Sequence, residues 1–221
     1  MKADFWHERW EKGEIGFHQG DFNRHMQDFV ARLGIQPGAH VLVPLCGKSL
    51  DMLWLAKQGY RVTGIELSQL AAEDFFIENG LQYVVDEQPG VMIYRGDQIK
   101  ILCMDFFAVE RSALSRIDAI YDRASLIALP PDMRPAYSAH LTHLADSGVR
   151  SLLVTLEYPQ DQMRGPPFSV DAAEVKALFE ANWRIEQLHA EDCLENEPRF
   201  QKKGLTRLHE RVFILQKGVA V

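Results

Sequence analysis

The chain has 221 residues, 47% of them hydrophobic, which is enough to bury one sizeable core and fits one α/β domain better than two. With 24 Lys and Arg against 31 Asp and Glu the net charge is −7, so there is no basic field to hold duplex DNA or RNA and a small-molecule ligand is expected instead. Cys46, Cys103 and Cys193 are odd in number and too widely spaced for a CxxC motif, which argues against a disulfide framework and suits a reducing cytoplasm. The N-terminus MKADFWHERWEKG lacks an apolar signal core, and no apolar run approaches a membrane span.

The first segment is set apart by its aromatics, Phe5, Trp6, Trp10 and Phe17, in a charged and glycine-punctuated stretch. Aromatic anchors serve equally to cap a core or to form a lid over a ligand. From there, β-rich apolar runs occur at 41–45, 61–67, 100–104, 118–122, 150–156, 184–189 and 210–216. Helix-length segments fall between several of them, at 50–59, 70–79, 131–145 and 171–182. Strand alternating with helix predicts right-handed crossovers and a largely parallel sheet. A hairpin is expected at VMIYRGDQIKIL (91–102), turning at Gly96-Asp97. No helix is expected in the polar stretch before ERVFILQKG, so the closing strand should be antiparallel.

VLVPLCGKS (41–49) ends in Gly47-Lys48-Ser49, the tail of a phosphate-binding loop. A full motif needs a glycine five positions earlier, where this chain has Leu42 inside the strand. An ordinary strand-to-helix turn is the better reading. In an open parallel sheet, ligands bind beyond the carboxyl ends of the strands. The second run ends at Glu66, nineteen residues after Gly47, about the offset at which an acidic side chain accepts hydrogen bonds from an adenosine ribose. The turn before it has one glycine where a dinucleotide fingerprint has three, so a cofactor with ribose and adenine but no phosphate fits better. S-adenosylmethionine is such a molecule. The third run ends in Met104-Asp105-Phe106, offering a carboxylate and an aromatic face to adenine, or a helix N-cap. The fourth ends in Tyr121-Asp122-Arg123, a charged pair where a cofactor's reacting group would sit.

At this point the sequence resembles the thiopurine S-methyltransferases, nearly end to end. The resemblance rests on WEKGEIGFHQ (10–19), VLVPLCGKSLDMLWLAKQGYRVTGIELSQLAAEDFF (41–76), IYDRASLIALPP (120–131) and GPPFSV (165–170). It implies a Rossmann-like class I methyltransferase with a mostly parallel seven-stranded sheet, an antiparallel C-terminal strand and helices on both faces. It also implies one domain over 1–221, in which residues 1–38 form an N-terminal lid and helix. S-adenosylmethionine is the implied donor, and thiopurines or similar aromatic thiols the acceptors. Bacterial relatives also look able to methylate selenium and tellurium oxyanions. Position by position, the resemblance puts cofactor contacts at Trp10, Leu45, Glu66, Asp105, Phe106 and Arg123. Phe17 and His18 come close to the acceptor, Arg199 takes the place of an arginine implicated in acceptor binding, and the aromatic segment becomes a lid.

Methyl transfer from a sulfonium needs an electron-rich nucleophile in line with it, so proximity and exclusion of water carry most of the rate. Arg123 is expected to act by electrostatic positioning, and no general base is assigned. No metal, nucleic-acid or membrane partner is expected, and the chain is expected to be a cytoplasmic monomer. His140 and His143, three apart on a helix-length segment, lack a third ligand. Two other readings share the same residues: a nicotinamide-dependent oxidoreductase, which should show more glycine after the first strand, and a non-enzymatic S-adenosylmethionine sensor.

Overall fold

The apolar runs at the middle of the chain form strands buried along nearly their whole length, the signature of a parallel sheet covered on both sides. A computed structural model describes residues 3–218; residues 1, 2 and 219–221, the extreme ends of the expected 1–221 domain, lie outside the described residues. The chain divides into two compact units, Met1–Tyr121 and Asp122–Val221.

The first unit opens with α1 (Ala3–Glu11) and α2 (Arg24–Phe29), then β1 (His40–Val43), α3 (Asp51–Lys57), β2 (Arg61–Glu66) and α4 (Gln69–Glu78). β3 (Val84–Gln88), β4 (Val91–Arg95), β5 (Ile99–Cys103) and β6 (Ala119–Arg123) follow, the last running two residues past the division. Their order is β3-β4-β5-β2-β1-β6. β5, β2, β1 and β6 pair in parallel, as the alternation of strand and helix predicts. The hairpin at Gly96-Asp97 joins β4 and β5 antiparallel. β3 adds an antiparallel edge to β4 that hydrophobic periodicity does not reveal, because Val84 and Val85 are exposed and backbone pairing alone makes the strand. With β3 and β4 the described residues hold nine strands, against seven expected.

Helix starts are capped by the residues that physical chemistry favours. Asn23 accepts from the Met26 amide at 3.2 Å, and Ser68 accepts from the Ala71 amide at 3.3 Å. His40 bridges the lower end of β1, with Nδ1 2.8 Å from the Arg116 carbonyl and Nε2 2.7 Å from Thr63 Oγ1. Burial lowers its proton affinity, so it serves the sheet as a neutral bridge.

The second unit contains α5 (Arg134–Leu144), β7 (Arg150–Glu157), α6 (Ala172–Phe179), β8 (Trp183–Asp192), α7 (Pro198–Gln201) and β9 (His209–Lys217). β9 lies antiparallel between β7 and β8, as expected for a closing strand without a crossover helix. The polar stretch before β9 carries only a 3-10 turn and the four-residue α7. It folds over its own small core of Tyr158, Met163, Cys193, Phe200, Leu205 and Leu208. The buried Arg134 grips both oxygens of Glu174 at 2.6 and 2.7 Å and donates through Nε to the Leu129 carbonyl at 2.9 Å. The Gly165-Pro166-Pro167-Phe168 loop is held by Tyr158 Oη donating to Pro167 O at 2.6 Å and by the Phe168 amide donating to Ile127 O at 2.7 Å.

Gly64 sits in the middle of β2 because the turn after β1 closes directly on it: a Cβ there would lie 2.5 Å from Cys46 Sγ and 3.0 Å from Met52 Sδ. Gly64→Ala should therefore destabilise the protein by about 1–3 kcal/mol through overpacking. In urea denaturation, Cys46→Ala in the same chain should recover part of that loss; no recovery would mean the clash is not with the Cys46 thiol.

Candidate active site

The site grows from the turn between β1 and α3. Leu45 and Gly47 both adopt positive φ, 44° and 52°, which a leucine tolerates only where its surroundings enforce it. The Cys46 amide donates to the Ile65 carbonyl at 2.9 Å, folding the turn back onto β2. Glu66, the last residue of β2, then ties two loops together. Its Oε2 accepts from the Gly47 amide and its Oε1 from the Ser68 amide, each at 2.8 Å. The residue is only 6% exposed. Burial pushes its carboxyl above the usual range, while the hydrogen-bonded amides of Ser68 and Gly47, and to a lesser degree the nearby Leu67 amide, pull it back.

A carboxylate has about four lone-pair sites. Glu66 uses one on each oxygen for the backbone, leaving acceptor capacity for a pair of ribose hydroxyls. Phosphate is disfavoured on the same geometry. The Gly47 amide, which a phosphate-binding turn would present to its ligand, is occupied by Glu66. Lys48 is 7% exposed and directed at α4, with Nζ 2.7 Å from Glu78 Oε1 and 3.4 Å from Asp74 Oδ2. The Gly-Lys-Ser tail is thus an ordinary turn whose lysine staples a helix. The residues present fit an adenosine without phosphates, as S-adenosylmethionine carries.

The aromatic segment lies on this turn. A Cβ on Gly47 would come 3.2 Å from Trp10 Cζ2, so the indole rests against the glycine and is itself only 6% exposed. Phe17 meets Trp10 edge-on at 5.5 Å between centroids and Trp6 at 5.7 Å, and Trp6 meets Phe5 at 5.3 Å. His18 follows in a turn closed by its amide on Ile15 O at 2.8 Å, and both Phe17 and His18 are half-buried. At the end of β5, the Met104 amide donates to the Glu66 carbonyl at 2.9 Å, which sets Asp105 beside the β2 terminus. Asp105 is exposed and caps a short 3-10 turn by accepting from the Phe107 amide at 2.9 Å. The Phe106 ring is 1% exposed. The first unit therefore brings together Trp10, Phe17, Leu45, Gly47 and Glu66, with Asp105 and Phe106 at the neighbouring strand end.

Arg123 and Arg199 belong to the second unit. Arg123 is half-buried and ends β6; Ala124 after it is left-handed, with φ 65°. Beside it in sequence, Asp122 is 1% exposed and accepts from Tyr137 Oη at 2.7 Å. Arg199, on α7, is paired with Glu197 at 3.0 Å and lies 4.7 Å over the Phe200 ring. Sequence reading missed Asp51, Ser68 and Tyr137 as contributors. Only Ser68 carried a local signal, as an N-cap before an apolar run. Asp51 and Tyr137 act through partners far away in sequence.

Comparison with known proteins gives the family and the fold. Residues 1–218 match the family described as Thiopurine S-methyltransferase. A protein of that name from Pseudomonas paraeruginosa is 49% identical over 218 residues, covering 99% of this chain and all of its own. Another, from Pseudomonas fluorescens, is 50% identical over 213 residues, covering 96% and 98%. Among solved structures, a SAM-dependent methyltransferase from Anabaena variabilis superposes with a TM-score of 0.69 at 15% identity, over 97% of this chain and 94% of that one. The likeness to that structure establishes the fold.

Asp122 supplies a stability test. Burial raises its carboxyl from 3.8 to about 6, against the opposing pull of hydrogen bonds from Tyr137, Ser125 and the Leu126 amide. Oδ1 is buried without a hydrogen-bond partner. Between those two values the folded state holds the proton more tightly than the unfolded state. Its contribution is therefore full below about pH 4 and is lost as pH rises through about 6. Asp122→Asn keeps an acceptor for Tyr137 without the buried charge. It should be more stable than the parent near pH 7.5, by on the order of 3 kcal/mol, with the gap closing towards pH 4. Paired denaturant titrations at the two pH values would show this; a gap independent of pH would rule out the buried carboxylate as its source.

Proposed function

The chain belongs to the thiopurine S-methyltransferase family, and from that premise we propose that it transfers the methyl group of S-adenosylmethionine to the sulfur of thiopurines or related small aromatic thiols. Selenium and tellurium oxyanions are proposed as further acceptors. The observation that carries the reading is the buried Glu66 carboxylate, fixed by the Gly47 and Ser68 amides next to the Trp10 indole. The protein is proposed to work as a single chain in the cytoplasm; among the described residues, no helix is long and apolar enough to cross a membrane.

When bound, S-adenosylmethionine supplies a methyl on a positively charged sulfur. Glu66 accepts from the ribose hydroxyls. Trp10 covers the turn at Leu45 and Gly47 and excludes water, while Asp105 and Phe106 flank the adenine. Phe17 and His18, part of the lid within residues 1–38, meet the acceptor, and Arg199 contributes to its binding. Arg123 holds the acceptor's negative charge by charge-assisted hydrogen bonding. A sulfur acceptor that is already a thiolate needs no proton removed by the enzyme, so no side chain is assigned as base. Incubation with labelled S-adenosylmethionine and a panel of thiols, thiopurines, selenite and catechols tests the reading. Label should pass to the thiols, whereas cofactor binding without any methylated product would indicate a sensor.

Glu66→Gln keeps a side chain of the same size but loses the charge and one acceptor, so one of the two backbone amides it holds then faces an NH₂ and some stability is lost as well. It should weaken S-adenosylhomocysteine binding by roughly tenfold or more, since hydrogen bonds to a charged group contribute about 1.5–3 kcal/mol. Glu66→Ala should lower stability further, because both amides lose their partner. Unchanged affinity in Glu66→Gln, read by tryptophan fluorescence, would remove the ribose assignment.

Arg123→Lys retains the charge without the forked geometry and should fall between the parent and Arg123→Ala in kcat/KM. For two thiols of well-separated pKa, the pH profile of kcat/KM should inflect at each acceptor's own ionisation. A common inflection for both would reveal an enzyme group acting as base.

A further inference from the structure

Asp51, in the first turn of α3, is 1% exposed and joins two distant parts of the first unit. Its Oδ1 accepts from the Asn23 amide at 2.8 Å, and its Oδ2 accepts from Tyr121 Oη at 2.9 Å. Both partners are themselves buried, Asn23 at 5% exposure and Tyr121 at 1%. Asn23 is where the aromatic N-terminal segment enters the body of the fold. Its Oδ1 caps α2 through the Met26 amide, and its Nδ2 reaches back to Gln19 Oε1 at 3.4 Å. Gln19 follows directly on Phe17 and His18. Tyr121 is the third residue of β6 and immediately precedes Asp122 and Arg123 in the chain. One carboxylate thus holds the root of the aromatic segment, the helix after the Gly47 turn and the β6 strand in register.

We propose that Asp51 is the positioning residue of the N-terminal lid: by bridging the Asn23 amide and the Tyr121 hydroxyl it fixes where residues 3–22 emerge, and so where Trp10 and Phe17 lie over the cofactor turn. This rests on reading that turn as the S-adenosylmethionine site. The segment depends on such an anchor because much of it is surface chain. Lys12, Gly13 and Glu14 are exposed, as are Gly16, Gly20 and Asp21. Beyond its aromatic cluster, its local ion pairs and the contact of α1 with α4, its path is set by where its end is tied. A buried carboxylate suits the task because it accepts from an amide and a hydroxyl at once, and burial makes loss of either partner costly.

The test compares four variants in the full chain. Asp51→Ala removes both hydrogen bonds, and Tyr121→Phe removes only one hydroxyl. Asp51→Asn can still accept from the Asn23 amide while its NH₂ donates to the Tyr121 oxygen. His40→Ala is a control that disturbs the opposite end of β1. A positioning role predicts that Asp51→Ala raises the KM for S-adenosylmethionine roughly tenfold, the scale of a lost buried hydrogen bond, with kcat at saturation largely kept. Tyr121→Phe should move in the same direction by less, and Asp51→Asn should return close to the parent. His40→Ala should lower the melting temperature without changing KM. Limited proteolysis of the ligand-free protein should cut residues 3–22 faster in Asp51→Ala and Tyr121→Phe than in the parent.

A KM and cleavage rate at parent values in Asp51→Ala would overturn the proposal, as would an equal rise in KM for His40→Ala or an Asp51→Asn as impaired as Asp51→Ala. Should Asp51→Ala not fold, Tyr121→Phe decides alone, and parent behaviour in it overturns the proposal. The cofactor reading fails separately, if the parent protein does not bind S-adenosylhomocysteine. Ligand-free proteolysis then still decides whether Asp51 anchors the segment.

Discussion

The candidate site depends on one buried carboxylate. Glu66 receives two backbone amides, Gly47 after β1 and Ser68 before α4, and each would cost about 1–3 kcal/mol if left buried without a partner. Satisfying both from a single strand-end residue fixes two loops to one another. Other local constraints follow from that geometry. The turn can close on β2 only because Gly64 has no side chain to oppose Cys46. It can reach Glu66 only through left-handed backbone at Leu45 and Gly47. The same closure leaves room for Trp10 to rest on the glycine.

Much of this was legible in the sequence, and the reason is the same wherever it was. Buried parallel strands read as continuous apolar runs, so β1, β2, β5, β6 and β7 stood out, as did the helices between them. The spacing from Gly47 to Glu66 puts the acidic residue at the end of β2 beside the turn after β1, where the Gly47 amide donates to it. The lysine reading also held up: a missing glycine argued that Gly47-Lys48-Ser49 was no phosphate loop, and Lys48 is committed to Glu78 and Asp74. What the sequence could not show was long-range pairing. β3 is defined by its backbone partner β4 rather than by burial, since Val84 and Val85 face outward. Asp51 looks like any acidic residue in the first turn of a helix until its partners at positions 23 and 121 are known.

The two arginines of the second unit stand in different settings. Arg199 is anchored on the surface of a small core, paired with Glu197 and stacked over Phe200. It lies in the least regular part of this unit, the polar stretch between β8 and β9. Glu157 at the end of β7, held by Arg211 of β9 at 2.6 Å and by Arg207 at 3.6 Å, shows that arginines in this unit also tie β9 to β7. Arg123 differs in that it sits at the end of a strand whose preceding residues, Ala119 to Asp122, are fully buried. A strand end of that kind fixes the backbone from which the guanidinium projects, and the left-handed Ala124 ends the strand abruptly after it.

The electrostatics of the turn give a reason for the cofactor that does not depend on likeness to other proteins. A phosphate brought to about 4 Å from a buried carboxylate meets a repulsion of about 4 kcal/mol at an effective dielectric of about 20. In this turn, neither the nearest lysine nor the Gly47 amide is disposed to offset it. A ribose meets no such repulsion, and each hydroxyl it donates is drawn to the same negative charge. A sulfonium elsewhere on the ligand adds attraction rather than repulsion, weakened by distance and screening. The turn therefore disfavours a phosphate set directly against Glu66 and leaves that carboxylate to a hydroxyl-bearing group, through the same residue that the fold already needs to close its first turn.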